Sequence, residues 1–312
     1  MLVVVGVVLL WGTFETLDVT EQTQSTAAQD SWTGAPRRRY STSDEMQYIL
    51  YGVEGSRQFS LYDEQLLDYI RSRISQPSVT RPRQLAQRQK KDASEYGQST
   101  FVDKLLSGRR GGFFIECGAA DGETYSNSLF FELERNWTGL LIEANSDYHR
   151  KLLEKNRRAY VLNACVSTER RPTTVRFAPA GLLGGILEKM HPAHVAGMGS
   201  SKEPQVTLNC FPLSSITAAL GVSHIDYLSL DVEGPEIEIL KTVDWTRLQI
   251  EIISLEYRVY GENMVGQHRP GTMQRLKDMR TFFRDTGVYR EVGLIPSVSV
   301  EDDGIDVIFS RV

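Results

Sequence analysis

At 312 residues the chain can bury a substantial core, and its 41% apolar and 24% charged content is that of an ordinary globular protein. A net charge of −5 removes any overall electrostatic case for nucleic acid. Three cysteines, Cys117, Cys165 and Cys210, lack the spacing of a metal site and are too few for a disulfide framework.

Residues 1–14, MLVVVGVVLLWGTF, are apolar and carry no charged side chain. As helix they would reach about 21 Å, short of the roughly 30 Å hydrocarbon core of a bilayer. Residues 1–19 therefore read as a signal-peptide apolar region or as the remnant of a membrane anchor. Residues 20–59 read as a disordered stalk, polar at first and carrying Arg37, Arg38 and Arg39. Residues 60–95 hold a helix and a basic linker. Ser60 is the expected cap, Asp63 and Glu64 sit in the first turn, and Leu67, Ile70 and Ile74 recur at helical spacing. Pro77 and Pro82 should end that helix, and the basic run 81–91 reads as a solvated linker.

The folded domain is expected over residues 96–312. Short, doubly apolar strands are predicted at 112–117, 139–143, 160–166, 225–231, 251–257, 288–294 and 305–310. Helices fit between them at 126–135, 148–157, 235–243 and 270–286, with Pro235 and Pro270 in first turns. The alternation predicts an α/β, doubly wound, mostly parallel seven-stranded sheet of the Rossmann-like type. Its last two strands would form an antiparallel edge. Cys117 and Cys165 fall in predicted strands, which favours buried thiols over a bridge. Extra strands at 172–178 and 205–212 flank a glycine-rich stretch and suggest an insertion beside the cleft, acting as a lid. His191 and His194 lie within it. No cysteine or carboxylate close in sequence completes a metal-binding set around them, so no metal is expected.

Three predicted strands close on carboxylates. Ligands of open parallel sheets bind at the carboxyl ends of the strands, where such groups accept hydroxyl or ammonium protons. In Glu116-Cys-Gly-Ala-Ala-Asp-Gly122 the glycines stand four apart. Gly118 and Ala119 would let the turn pass beneath a ligand, Glu116 or Asp121 would accept from its ammonium, and Gly122 closes the turn. The G-x-G-x-x-G spacing of a dinucleotide site is absent. Glu143, about 25 residues after Gly118, stands where an acidic residue takes ribose hydroxyls, and Asn163 is placed for an adenine edge. Asp231 would face the methyl donor or acceptor, Glu233 could serve as a general base, and Glu256 is a further carboxylate on the same rim. S-adenosylmethionine, hydroxylated and partly cationic, suits this acid-tipped cleft better than a dinucleotide.

These motifs, with Asp231-Val-Glu-Gly-Pro-Glu-Ile-Glu-Ile-Leu240 the most specific, resemble the FkbM-type methyltransferases over residues 111–312. The resemblance implies an S-adenosylmethionine fold, binding by Glu116, Gly118, Asp121 and Glu143, and O-methylation of a sugar, lipid or small-metabolite hydroxyl. Leu66-Leu-Asp-Tyr-Ile-Arg71, Gly122-Glu-Thr-Tyr-Ser-Asn127 and Asn209-Cys-Phe-Pro-Leu213 are further similar to the Star-like branch of arthropod single-pass membrane proteins. That branch implies a lumenal domain in the endoplasmic reticulum, Golgi and endosome. Its implied partner is a transmembrane growth-factor ligand precursor of the EGF receptor, whose transport it would regulate. Traffic is thus the first expectation, and an active O-methyltransferase the alternative.

Overall fold

A computed structural model describes residues 60–87, 89–199, 204–262, 269–296 and 304–312. The predicted anchor and stalk lie outside the described residues. Helix α1 (Glu64–Arg73) is capped by Asp63, not Ser60: the Asp63 carboxylate accepts from the amides of Gln65 and Leu66 at 3.1 and 3.2 Å. It stops before either proline, because Ser75 leaves the helix to pair with Val161 in an antiparallel bridge. Leu66, Leu67, Tyr69 and Ile70 are buried in the same core as the central sheet. The basic run that follows is a pinned strap, not a solvated linker. Gln84 donates its amide to the Lys155 carbonyl, and Ala86 and Gln87 donate theirs to the Glu123 carboxylate.

Then come α2 (Gln98–Leu105), β1 (Phe113–Cys117), α3 (Leu129–Glu134), β2 (Thr138–Ile142), α4 (Ser146–Lys155) and β3 (Tyr160–Leu162). The chain continues through β4 (Cys165–Val166), β5 (Thr173–Ala178), β6 (Gly185–Ile186), α5 (Pro192–Gly197), β7 (Val206–Phe211) and α6 (Leu213–Leu220). It closes with β8 (His224–Leu230), α7 (Glu236–Thr242), β9 (Gln249–Glu256), α8 (Pro270–Thr286), β10 (Tyr289–Pro296) and β11 (Gly304–Arg311).

The main sheet has the order β10-β11-β9-β8-β1-β2-β3. The five strands from β9 to β3 in that order run parallel, and β11 is antiparallel to both neighbours, as the sequence predicts. Alternate residues of each strand feed opposite cores. Ile115, Leu140, Leu228 and Ile253 pack on one face. Phe114, Leu141, Tyr227 and Ile252 pack on the other. With both faces covered, no polar alternation can survive in these strands. The chain winds outward from β1 to β3, then returns to lay β8 on the other side of β1. The cleft opens at that switch point, above the carboxyl ends of the strands.

The predicted strand 160–166 is two strands. β3 ends at Leu162, and β4 joins a second, four-stranded sheet ordered β4-β7-β5-β6. There Cys165 lies directly opposite Cys210 and the two form a disulfide, so Cys165 is not the buried thiol its sequence position suggests. Cys117 is a free, buried thiol, as expected. By constraining the unfolded chain across a separation of 45 residues, the bridge contributes roughly 3–4 kcal/mol. The predicted insertion is therefore a stapled sheet packed over the cleft.

Candidate active site

Glu116 is the penultimate residue of β1, while Glu143 and Asp231 lie one residue past β2 and β8. Glu256 ends β9, and all four line one cavity of about 250 Å³. Phe177, Leu183 and Ile186 of the insertion form its opposite wall. Gly118 brings two of these strand ends together. Its φ is +83°, and a Cβ there would overlap the Asp231 carbonyl oxygen. Only glycine permits both the left-handed turn and this approach.

The predicted residues divide into those that face the cavity and those that build its frame. Glu143 faces it, with its oxygens accepting from the amides of Ala120 and Asn145, each at 2.7 Å. Asp231, Glu233, Glu116 and Gly118 also line it. Glu116 is at the same time committed to the frame. It accepts from Ser126 Oγ at 2.9 Å, the Asn127 amide at 2.7 Å and Ser128 Oγ.

Four predicted residues do not line the cavity. Ala119 is buried in the second core against the sheet. Asp121 turns away to bind the amides of Glu123 and Thr124. Gly122 gives way to Leu152, whose side chain would overlap a Cβ there. Asn163 braces the loop after β2, its amide donating to the Glu143 and Ala144 carbonyls. These four shape the turns that present Glu143 and Gly118.

Residues that sequence reasoning missed complete the walls. Asn127, Tyr148, Arg258 and Tyr260 face the cavity. Asn127 carries a buried Oδ1 without a donor. Its signal was its place just after the glycine turn, where an amide stands between two serines, Ser126 and Ser128. His191 is absorbed as the cap of α5, accepting from the Ala193 amide at 3.2 Å. His194 instead reaches Glu233, with Nδ1 3.2 Å from Oε2. The carboxylate absent from its sequence neighbourhood is supplied by the fold.

Burial dominates the electrostatics. It pushes the Glu143 carboxyl up to about 7, against the opposing effect of its two amide donors. Burial likewise raises Asp231 to about 6 and Asp306 to about 7. Glu233 and Glu256 are held well above the usual range, first by burial and then by the charge of Asp231. Arg275, paired with Glu236 at 2.6 Å, and Arg258, 3.9 Å from Glu256, both oppose that shift. The cavity thus has a surplus of acceptors over donors.

The model of the methyltransferase FkbM domain matches residues 116–288, more than half of the chain. The chain belongs to the FkbM methyltransferase family. No curated protein sequence matches it. Among solved structures it is similar to the FkbM methyltransferase of Methylobacillus flagellatus, at 15% identity and a TM-score of 0.38. That similarity covers 69% of this chain and 48% of the other, so the chain spans about half of that relative's length. It is also similar to an S-adenosylmethionine-dependent methyltransferase from Aquifex aeolicus, at 10% identity and a TM-score of 0.36, covering 71% and 95% of the two chains. A precorrin-6y C5,15-methyltransferase from Geobacter metallireducens gives 16% identity, a TM-score of 0.36, and coverage of 69% and 87%.

The FkbM cavity fits the cofactor that the family implies, S-adenosylmethionine. Orphaned acceptors at Asn127 Oδ1 and Glu256 Oε2, with Glu143 beside them, ask for a ligand rich in N–H and O–H donors and carrying positive charge.

The raised pKa of Glu143 has a stability consequence. The native state keeps this proton up to about pH 7, whereas a solvated glutamate releases it near 4.5. The folded chain therefore binds more protons in that interval, and stability falls as pH rises through it, then levels off. Glu143→Gln should reduce the loss of unfolding free energy between pH 5 and pH 8 by roughly 2–3 kcal/mol. Urea melts of the native chain and the variant at both pH values check this; equal losses would show that Glu143 is not protonated in the native state.

Proposed function

We propose that this chain is an S-adenosylmethionine-dependent O-methyltransferase whose acceptor is a hydroxyl of a sugar, lipid or small metabolite. One observation carries the reading: Glu143 past β2 and Asp231 past β8 face a single donor-poor cavity at the switch point of the sheet. In this assignment Glu143 accepts the ribose hydroxyls, and the acceptors around Asn127 and Glu116 receive the ammonium. When bound, the cofactor supplies an electrophilic methyl group on a sulfonium. The chain's own part is to hold the acceptor oxygen in line with that methyl and to take its proton. The proton of that hydroxyl would pass to Asp231 or Glu233. A carboxylate with a pKa of about 6 is well matched to that transfer near neutrality. The insertion wall of Phe177, Leu183 and Ile186 keeps water from the methyl group.

Calorimetry of the chain with S-adenosylmethionine should give one site per chain. Glu143→Ala should weaken it by about 10–100-fold, the cost of losing hydrogen bonds to a buried charged acceptor. No heat at millimolar cofactor would overturn the reading, and undiminished binding in the variant would overturn the role of Glu143.

The Cys165–Cys210 bridge favours an oxidising compartment, since such bonds persist in secretory lumens and are rare in cytosol. A lumenal site would also suit the Star-like reading, in which the domain engages a growth-factor ligand precursor during transport. Among the described residues no helix is long and apolar enough to cross a membrane, and the run 1–14 lies outside them. Alkylating the protein in intact cells before and after reduction locates the compartment. Cys165 and Cys210 should react only after reduction; free thiols at both positions would exclude an oxidising lumen.

A further inference from the structure

Asp231, Glu233 and Glu256 place one carboxylate oxygen each within 4.8 Å of the others. Glu256 Oε2 is buried and has no donor. An acidic cluster alone is not a binding site, but an independent group, His194, reaches one of its members, Glu233. His194 is 1% exposed. Its Nε2 lies 3.0 Å from the Leu183 carbonyl oxygen, which can only accept, so Nε2 carries the proton. In the tautomer with its proton on Nε2, Nδ1 is a bare lone pair, and it faces Glu233 Oε2 at 3.2 Å with no hydrogen-bond partner. Two acceptors meeting in a buried place is unfavourable unless something positive sits with them.

We propose that Asp231, Glu233 and Glu256 bind a divalent cation, with His194 Nδ1 as the nitrogen donor beside Glu233. The arrangement of His194 is that of a metal-binding imidazole, whose second nitrogen donates to a backbone carbonyl and fixes ring and tautomer. Charge agrees. Three ionised carboxylates outnumber the two guanidinium groups near them, Arg258, 3.9 Å from Glu256, and Arg275, which is also paired with Glu236. Three carboxylates and one imidazole suit a cation of the Mn²⁺ kind: harder than the thiolate-favouring metals, yet tolerant of nitrogen. Its place on the rim would let it polarise an acceptor hydroxyl. A carboxylate bound through one oxygen keeps the other to take the proton. That catalytic use rests on the methyltransferase reading; cation binding does not.

The test uses the whole chain and Mn²⁺ alone, without cofactor, so its outcome is independent of S-adenosylmethionine binding. Titration followed by the electron paramagnetic resonance of free Mn²⁺ should show one ion bound per chain, and the thermal midpoint should rise with the metal. His194→Ala and Glu256→Gln should each weaken binding at least tenfold. In metal-free buffer Glu256→Gln should be as stable as the native chain or more so, because it relieves the crowding. A variant that merely misfolds would be less stable there and would not isolate the metal effect, so its native circular dichroism is required. Mn²⁺ remaining free at millimolar concentration would overturn the proposal, leaving a protonated Glu233 donating to His194 as the account of that contact. Undiminished binding in both folded variants would overturn the ligand assignment equally.

Discussion

Removing carboxylates from water at the ends of parallel strands costs several kcal/mol for each ionised group, and this structure does so at four strand ends at once. How each one is compensated determines what it can do. Glu116 has three donors of its own, and Arg157 backs it through Ser126 and Ser128 at 3.2 and 3.1 Å. It is a structural acid that fixes the loop into α3. Glu143 has two backbone amides and is left short of compensation, so its proton is held up to about pH 7. Asp231, Glu233 and Glu256 have least: Arg258, an Arg275 shared with Glu236, each other, and a histidine lone pair. A cleft whose acids go from satisfied to unsatisfied along one wall is prepared for a cationic, donor-rich ligand.

The rest of the fold serves that arrangement. Gly118 lets the backbone at Asp231 come against the turn after β1, bringing the acids of two strands into one cavity. The insertion sheet supplies the apolar wall that keeps those acids out of water, and the disulfide between β4 and β7 fixes its base. The desolvation that raises these pKa values is therefore a product of the insertion as much as of the strands.

Fold and site were not equally legible in the sequence. The central strands were readable because both their faces are buried, which leaves predominantly apolar runs at Phe113, Leu140, Ile225 and Ile252. Helix α6 was missed because Leu213-Ser-Ser-Ile-Thr-Ala-Ala-Leu220 is buried on nearly every side and so shows little polar face. Glu143, Asp231 and Glu233 were found because a carboxylate after an apolar strand is a strong signal. Asp121, an equal carboxylate, and Asn163, a carboxamide, instead bind local backbone, a choice set by loop geometry that residue type does not reveal. Cys165 and Cys210 could be paired only by knowing that β4 and β7 lie in register, and His194 could be joined to Glu233 only through the long-range path of the insertion.

The central claim is that undercompensated acids, not a merely concave surface, make this cleft a site for S-adenosylmethionine. Proton release on binding tests it most directly, measured as the dependence of the binding enthalpy on the ionisation enthalpy of the buffer. At pH 6.5 a cationic ligand should drive Glu143 and Asp231 to ionise, with release fading toward pH 8.5 as both become ionised in the free chain. Binding with no proton release at pH 6.5 would contradict the account.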